Sequence, residues 1–316
     1  DHRDLHSFPT RRSSDLVYEI PRSFFTQTDT VFGAPVSVHP MWRKKASVSA
    51  REMEQIVAEL NVRLMHLRRL LQAVEVEATY QIPSLPVDEF ESIERIAALV
   101  RAQWQLPSGP VHNLTRTLEA AGVVVVHSDM AGSVVDGVTF SASGLPPLVV
   151  LNINQPSDRA RFTMAHELGH LVMHRTQPTQ QMEEQANEFA SHFLMPTIDI
   201  RPYLARRRID LRLLAELKPI WRVSMASLLM RARSLGLLAY NQERYLWQQF
   251  SMAKIRQSEP PELDFLPEKA TVLPELIEAH MSQLGYSIAE LAVMLHLQQR
   301  ELSSLYGLSI VPEQQG

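Results

Sequence analysis

The sequence has no cysteine anywhere in its 316 residues. That excludes disulfides, iron–sulfur clusters, thiolate zinc sites and cysteine nucleophiles. No run of about 18 apolar residues occurs, so nothing reads as a membrane-spanning helix. Positive charge is not in excess: 31 Lys and Arg face 35 Asp and Glu, for a net charge of −4. A protein that coats nucleic acid would carry a bulk basic balance instead. No charged-then-apolar signal segment opens the chain, and a cytoplasmic location is the expectation. What is present is ordinary globular composition, 45% hydrophobic and 21% charged. The length suggests about two domains and a core that hides roughly three-quarters of the unfolded surface.

Asp1–Leu16 shows neither helical nor strand period. His6–Leu16, HSFPTRRSSDL, resembles one reading frame of a common short-read sequencing adapter. Residues 1–16 are therefore expected to be assembly contamination and are set aside. On that expectation a preceding domain is missing, and residues 17–47, rich in turn residues, read as a linker. Ser49 and Glu52 have capping-box spacing. Behind them Met53, Ile56, Val57, Leu60, Leu64, Leu67, Leu70 and Leu71 recur at helical spacing, with Arg63, Arg68 and Arg69 on a solvated face. Helices are predicted over Ile93–Trp104 and Leu114–Ala121. The texture then changes to short strands at Val123–Val126, Gly137–Phe140 and Leu148–Ile153. Ser157 and Asp158 can cap a long helix from Arg159 to about His174. A further helix, Met182–Met195, is stopped by Pro196. The rest reads helical over Leu211–Leu217, Met225–Leu235, Glu243–Ile255, Val272–Leu284 and Ile288–Tyr306, with a linker at Pro260-Pro261. The fold class is α+β, mostly helical, with a small antiparallel or mixed sheet and a helical C-terminal region. The expected divisions are 48–200 for a domain holding the chemistry, 201–257 for its helical continuation and 258–316 for a C-terminal segment.

The chemistry lies in His166-Glu167-Leu168-Gly169-His170, an HExxH pattern on a predicted helix. Spacing of i, i+4 puts both imidazoles on one face, where they can chelate one ion. Glu167 projects beside them and can take a proton from a metal-bound water. Neutral nitrogen and oxygen donors suit zinc, with one position left for water. The third ligand must be His, Asp or Glu. His174 lies four residues past His170, but His166 and His174 are eight residues and about 12 Å apart along a helix. The spacing also misses the HExxHxxGxxH pattern, so His174 reads as a structural or rim histidine. The next helix offers Glu183, Glu184 and Glu188, and period alone does not choose among them.

Arg161–His170, RFTMAHELGH, is followed by Glu183-Glu184-Gln185-Ala186-Asn187 and by Phe193-Leu194-Met195-Pro196. This set resembles the ImmA/IrrE family of metallopeptidases, whose E-x-x-A-N…L-M-P pattern aligns Glu183 with the third ligand. The resemblance covers about Val17–Leu238 and is nearest the long members that carry an N-terminal helix-turn-helix of the XRE type. It implies a zincin-like domain, one zinc per chain and a zinc-dependent endopeptidase acting on a transcriptional repressor in a stress, phage or mobile-element system. It implies DNA contact through the missing N-terminal domain, and no membrane; homo-oligomerisation is left open. The alternative is an XRE-type transcriptional regulator or antitoxin whose zincin-like domain senses a ligand or partner. His192, on the Glu183 helix, is not carried over.

Two downstream stretches, Lys218–Gly236 and Ser287–Tyr306, have helix-turn-helix texture, which is also common as plain structure. Trp221, Tyr245, Trp247 and Phe250 lie at helical spacing and read as core.

Overall fold

The computed structural model describes residues 21–27, 37–40, 50–129, 135–174, 179–256 and 258–306. The expected contaminant, 1–16, lies outside them. Contacts divide the chain into two units. One is Ala34–Val57 with Glu77–Thr271, and the other is Asp1–Gly33, Ala58–Val76 and Val272–Gly316.

The first unit is built on a four-stranded mixed sheet. Its strands are β1 (Ser37–Pro40), β2 (Val124–Ser128), β3 (Val135–Phe140) and β4 (Leu148–Asn152), in the order β1-β3-β4-β2. β1 and β4 run antiparallel to β3, whereas β2 runs parallel to β4, pairing Val126 with Val150. The valine-rich strands are buried almost throughout, because helices and loops cover both faces. β1 falls inside the stretch expected to be a linker. Four residues ending in proline carry too little period to announce a strand.

Helix α1 (Ala50–Leu70) begins in this unit and continues into the other. Next come α2 (Ile93–Gln103) and α3 (Leu114–Ala120), whose first turns are closed by Ser92 and Asn113. Helix α4 (Ser157–Met173) lies on the sheet and α5 (Gln180–Leu194) packs beside it. The start of α4 differs from the expected cap. Pro156 is the N-cap residue and no side chain caps the helix. Asp158 instead lies in the first turn, buried, 2.7 Å from the Lys218 ammonium. Two glycines let the layers approach. A Cβ on Gly137 would lie 2.6 Å from Thr163 Cγ2, and one on Gly169 would lie 3.1 Å from Phe189 Cδ1 and 3.3 Å from Ala186 Cα.

Helices α6 (Thr197–Ala205), α7 (Leu211–Trp221), α8 (Met225–Ser234) and α9 (Tyr240–Met252) complete this unit. α7 runs past Pro219 rather than stopping at Leu217, so that Trp221 is buried; Arg222, at φ 53°, then ends it. Trp221 and Phe250 are core, Trp247 is half-buried, and Tyr245 is exposed, contrary to its expected burial. The irregular stretch after α9 is tied back by buried charge. Glu259 accepts from Lys218 and from the backbone N–H groups of Met225 and Ala226. Asp264 pairs with Lys218, and Glu268 pairs with Arg161 and accepts from the Thr115 N–H. Burial alone would lower the Lys218 pKa, but the hydrogen bonds and ion pairs with Asp158, Asp264 and Glu259 outweigh it and raise it.

The second unit contains the rest of α1 with α10 (Val272–Ser282), α11 (Ile288–Met294) and α12 (Gln299–Tyr306). His296, at φ 54°, makes the turn between α11 and α12 where no glycine stands. Arg63 is not on a solvated face. It is buried over the Tyr306 ring, and Arg69 donates to the Met294 carbonyl, leaving Arg68 exposed. His66 Nδ1 lies 2.7 Å from the Tyr306 hydroxyl. Burial and then Arg63 push the His66 pKa down to about 3.

Candidate metal centre

α4 presents His166 and His170 one turn apart, both completely buried. α5 crosses them closely at Gly169 and brings in Glu183, which is a quarter exposed. His166 Nε2 lies 3.2 Å from one Glu183 carboxylate oxygen, and His170 Nε2 lies 3.3 Å from the other. The two Nε2 atoms are 3.0 Å apart. In a four-coordinate site with nitrogen and oxygen ligands at about 2.0–2.2 Å, neighbouring donor atoms lie about 3.3 Å apart. Among the described residues, His166, His170 and Glu183 form a group able to hold a metal ion.

The protons support this. His166 Nδ1 is 3.0 Å from Asn187 Oδ1. A carbonyl oxygen only accepts, so Nδ1 carries the hydrogen and Nε2 presents a lone pair. The His166 lone pair, His170 Nε2 and the Glu183 carboxylate converge on one point. Acceptors placed so closely repel one another unless a cation, a proton or a metal ion, lies among them.

The three glutamates that period left equivalent are separated by the structure. Glu184 accepts from Gln180 and Glu188 faces His192, so only Glu183 joins the imidazoles. Glu167 is completely buried on α4 next to His166. His192 stands apart from the cluster, half-buried among Glu94, Glu188 and Arg231. His174 is not part of the converging group. Its ring contacts His170 Nδ1 at 2.9 Å and Gln185 Oε1 at 3.1 Å. Burial, then the neighbouring His170, pushes its pKa down to about 4. Sequence reasoning missed Asn187 as a partner of His166. Its signal was spacing: it follows Glu183 by four residues, on one face of α5. Arg161, quoted only as part of a motif, is a buried ion-pair partner of Glu268.

Residues 118–233 match the family model Peptidase_M78, described as the IrrE N-terminal-like domain. The matched stretch runs from the end of α3 into α8 and includes β2–β4 and both helices of the centre. It is similar to the ImmA/IrrE-type metallopeptidases in the region where the motifs lie. No curated protein matches the chain.

Proposed function

We propose that the chain is a zinc-dependent endopeptidase of the ImmA/IrrE type, with one zinc held by His166, His170 and Glu183 and with Glu167 as general base. The supporting observation is the convergence of three lone-pair donors, 3.0–3.3 Å apart, in a site whose imidazoles are fully buried. Bound zinc supplies Lewis acidity to a substrate carbonyl and to water. The chain's own groups do the rest. His166 and His170 stay neutral with Nε2 turned inward, and Glu183 contributes one negative charge. The Glu167 carboxylate takes the proton of the attacking water and returns it to the departing amine nitrogen, so the peptide bond is hydrolysed without net change at the enzyme. The substrate is a protein, in our reading a transcriptional repressor. That setting, and DNA contact through an XRE-type domain, rest on the resemblance alone.

Glu167→Gln keeps size and a hydrogen-bonding tip but cannot take up a proton. Zinc content should stay at one per chain while peptidase activity falls by about 10²–10⁴-fold. Undiminished activity would remove Glu167 as the base, and loss of zinc would mean that it is a ligand. If the variant and wild type regulate transcription equally in cells, the chain acts as a sensor instead.

A further inference from the structure

Helix α4 stops at Met173, one residue short of the expected end, and the consequence falls on His174. Its backbone is extended, at φ −118° and ψ 134°, while its N–H still donates to the His170 carbonyl. The side chain of His174 therefore packs against His170, with ring centroids 4.9 Å apart, and its Nδ1 lies 2.9 Å from His170 Nδ1. The two nitrogens of one imidazole are on different edges of the ring. His170 shows Nε2 to Glu183 and Nδ1 to His174, so His174 lies away from the ion position.

We propose that His174 and Gln185 are positioning residues that fix the orientation and tautomer of His170 for metal binding, as Asn187 does for His166. The inference rests on the zinc site proposed above. Gln185 Oε1 can only accept, and it is 3.1 Å from His174 Nε2. His174 Nε2 therefore carries the hydrogen, and Nδ1 of the same neutral ring is a lone-pair acceptor. That acceptor takes the hydrogen of His170 Nδ1–H and leaves His170 Nε2 unprotonated, facing Glu183. His174 is only 7% exposed, so water competes little for these bonds. Two outer contacts start from α5: Asn187 reaches His166 directly, and Gln185 reaches His170 through His174. The helix that brings the third ligand also sets the protons of the other two. Outer partners of this kind are worth about 10–100-fold in metal affinity.

The test is zinc affinity by chelator competition, with the absorption spectrum of the cobalt-substituted protein as a second readout. His174→Leu removes the acceptor, and His174→Asn returns one near the same place. Gln185→Leu, at a half-buried position, removes the end of the relay without substituting either histidine, and Gln185→Glu strengthens it. We expect His174→Leu and Gln185→Leu to weaken zinc binding by about 10–100-fold, with the cobalt spectrum still four-coordinate. His174→Asn and Gln185→Glu should recover most of the affinity. Unchanged affinity in both leucine variants would overturn the relay. So would a changed coordination spectrum in His174→Leu, which would make His174 a ligand. Absence of zinc binding by the wild-type chain would overturn the site itself, and the relay with it.

Discussion

Adding one methyl group at Gly137 tests how closely α4 must lie on the sheet. The new Cβ would meet Thr163 Cγ2 at 2.6 Å and Leu151 Cδ2 at 3.2 Å. Carbon atoms prefer about 3.5–4.0 Å, so the shortfall against Thr163 is about 1 Å. Thr163 is 1% exposed, on the helix that carries both imidazoles. Overpacking of this kind costs about 1–3 kcal/mol. Replacing glycine by alanine recovers about 0.4–1 kcal/mol by restricting the unfolded chain. A net loss of about 1–2 kcal/mol follows, or about 2–8 °C in Tm for a unit of this size. The cause can be isolated with Thr163→Ser, which deletes Cγ2 and keeps the hydroxyl. Alone it should cost about 1 kcal/mol for the lost methyl. In the Gly137→Ala background the same change should be neutral or stabilising, giving a coupling of about 1 kcal/mol or more. Urea and thermal denaturation of wild type, both single variants and the double variant measure it. Strict additivity of the two single effects would refute the steric argument.

Two further outcomes follow from the packing. In Gly169→Ala the new Cβ forces α5 outward by a few tenths of an ångström, against 3.1–3.3 Å contacts with Phe189 and Ala186. Because the helix itself gains about 0.5–1 kcal/mol from alanine, the metal-free protein should stay within about 1 kcal/mol of wild type. Zinc affinity should nevertheless fall about tenfold as Glu183 moves away from the imidazoles; chelator competition showing equal affinity would contradict this. His66 gives a pH dependence. Its folded pKa, lowered to about 3 by burial and then Arg63, lies below the unfolded value of about 6.5. The unfolded chain therefore binds the proton first, and stability is full above about pH 6.5 and is lost as pH falls toward 3. Between pH 7 and 5 the wild type should lose about 2 kcal/mol more than His66→Gln. Equal losses in denaturant titrations at the two pH values would show that His66 does not supply it.

The grouping of His166, His170 and Glu183 was legible because both of its signals are local. His166 and His170 declare themselves by helical period, and Glu183 by a short motif on the next helix. Their outer partners were less legible. Gln185 carries no signal, and the role we propose for His174 depends on α4 ending at Met173, a boundary that a run of apolar residues does not mark. Charges were misread wherever a distant partner decides them. Asp158 looked like a cap because Lys218, 60 residues away, is invisible to local pattern. Arg63 looked solvated because the Tyr306 ring that it lies over is remote in sequence. Among the described residues, α6 and α7 carry a proline beyond the first turn, Pro202 and Pro219. Propensity argues for a break at each, a cost of about 3 kcal/mol, and the burial of Leu204 and Trp221 beyond those prolines opposes it.

The acidic stretch 258–271 acts as a set of counter-ions for cations it does not adjoin in sequence. Asp264 and Glu259 face Lys218, and Glu268 faces Arg161, with both cations about 1% exposed. In turn, Glu119 on α3 accepts from the backbone and hydroxyl of Thr271. Removing one partner of a buried pair costs about 3–5 kcal/mol, against a net stability of about 5–15 kcal/mol for a whole domain. A chain cut at the Pro260-Pro261 stretch would keep every residue of the metal centre and still leave the Arg161 guanidinium without its carboxylate, on the same helix as His166 and His170. Full stability around the centre therefore requires the chain to run to Thr271, some 75 residues beyond the Leu-Met-Pro motif that closes the recognisable pattern.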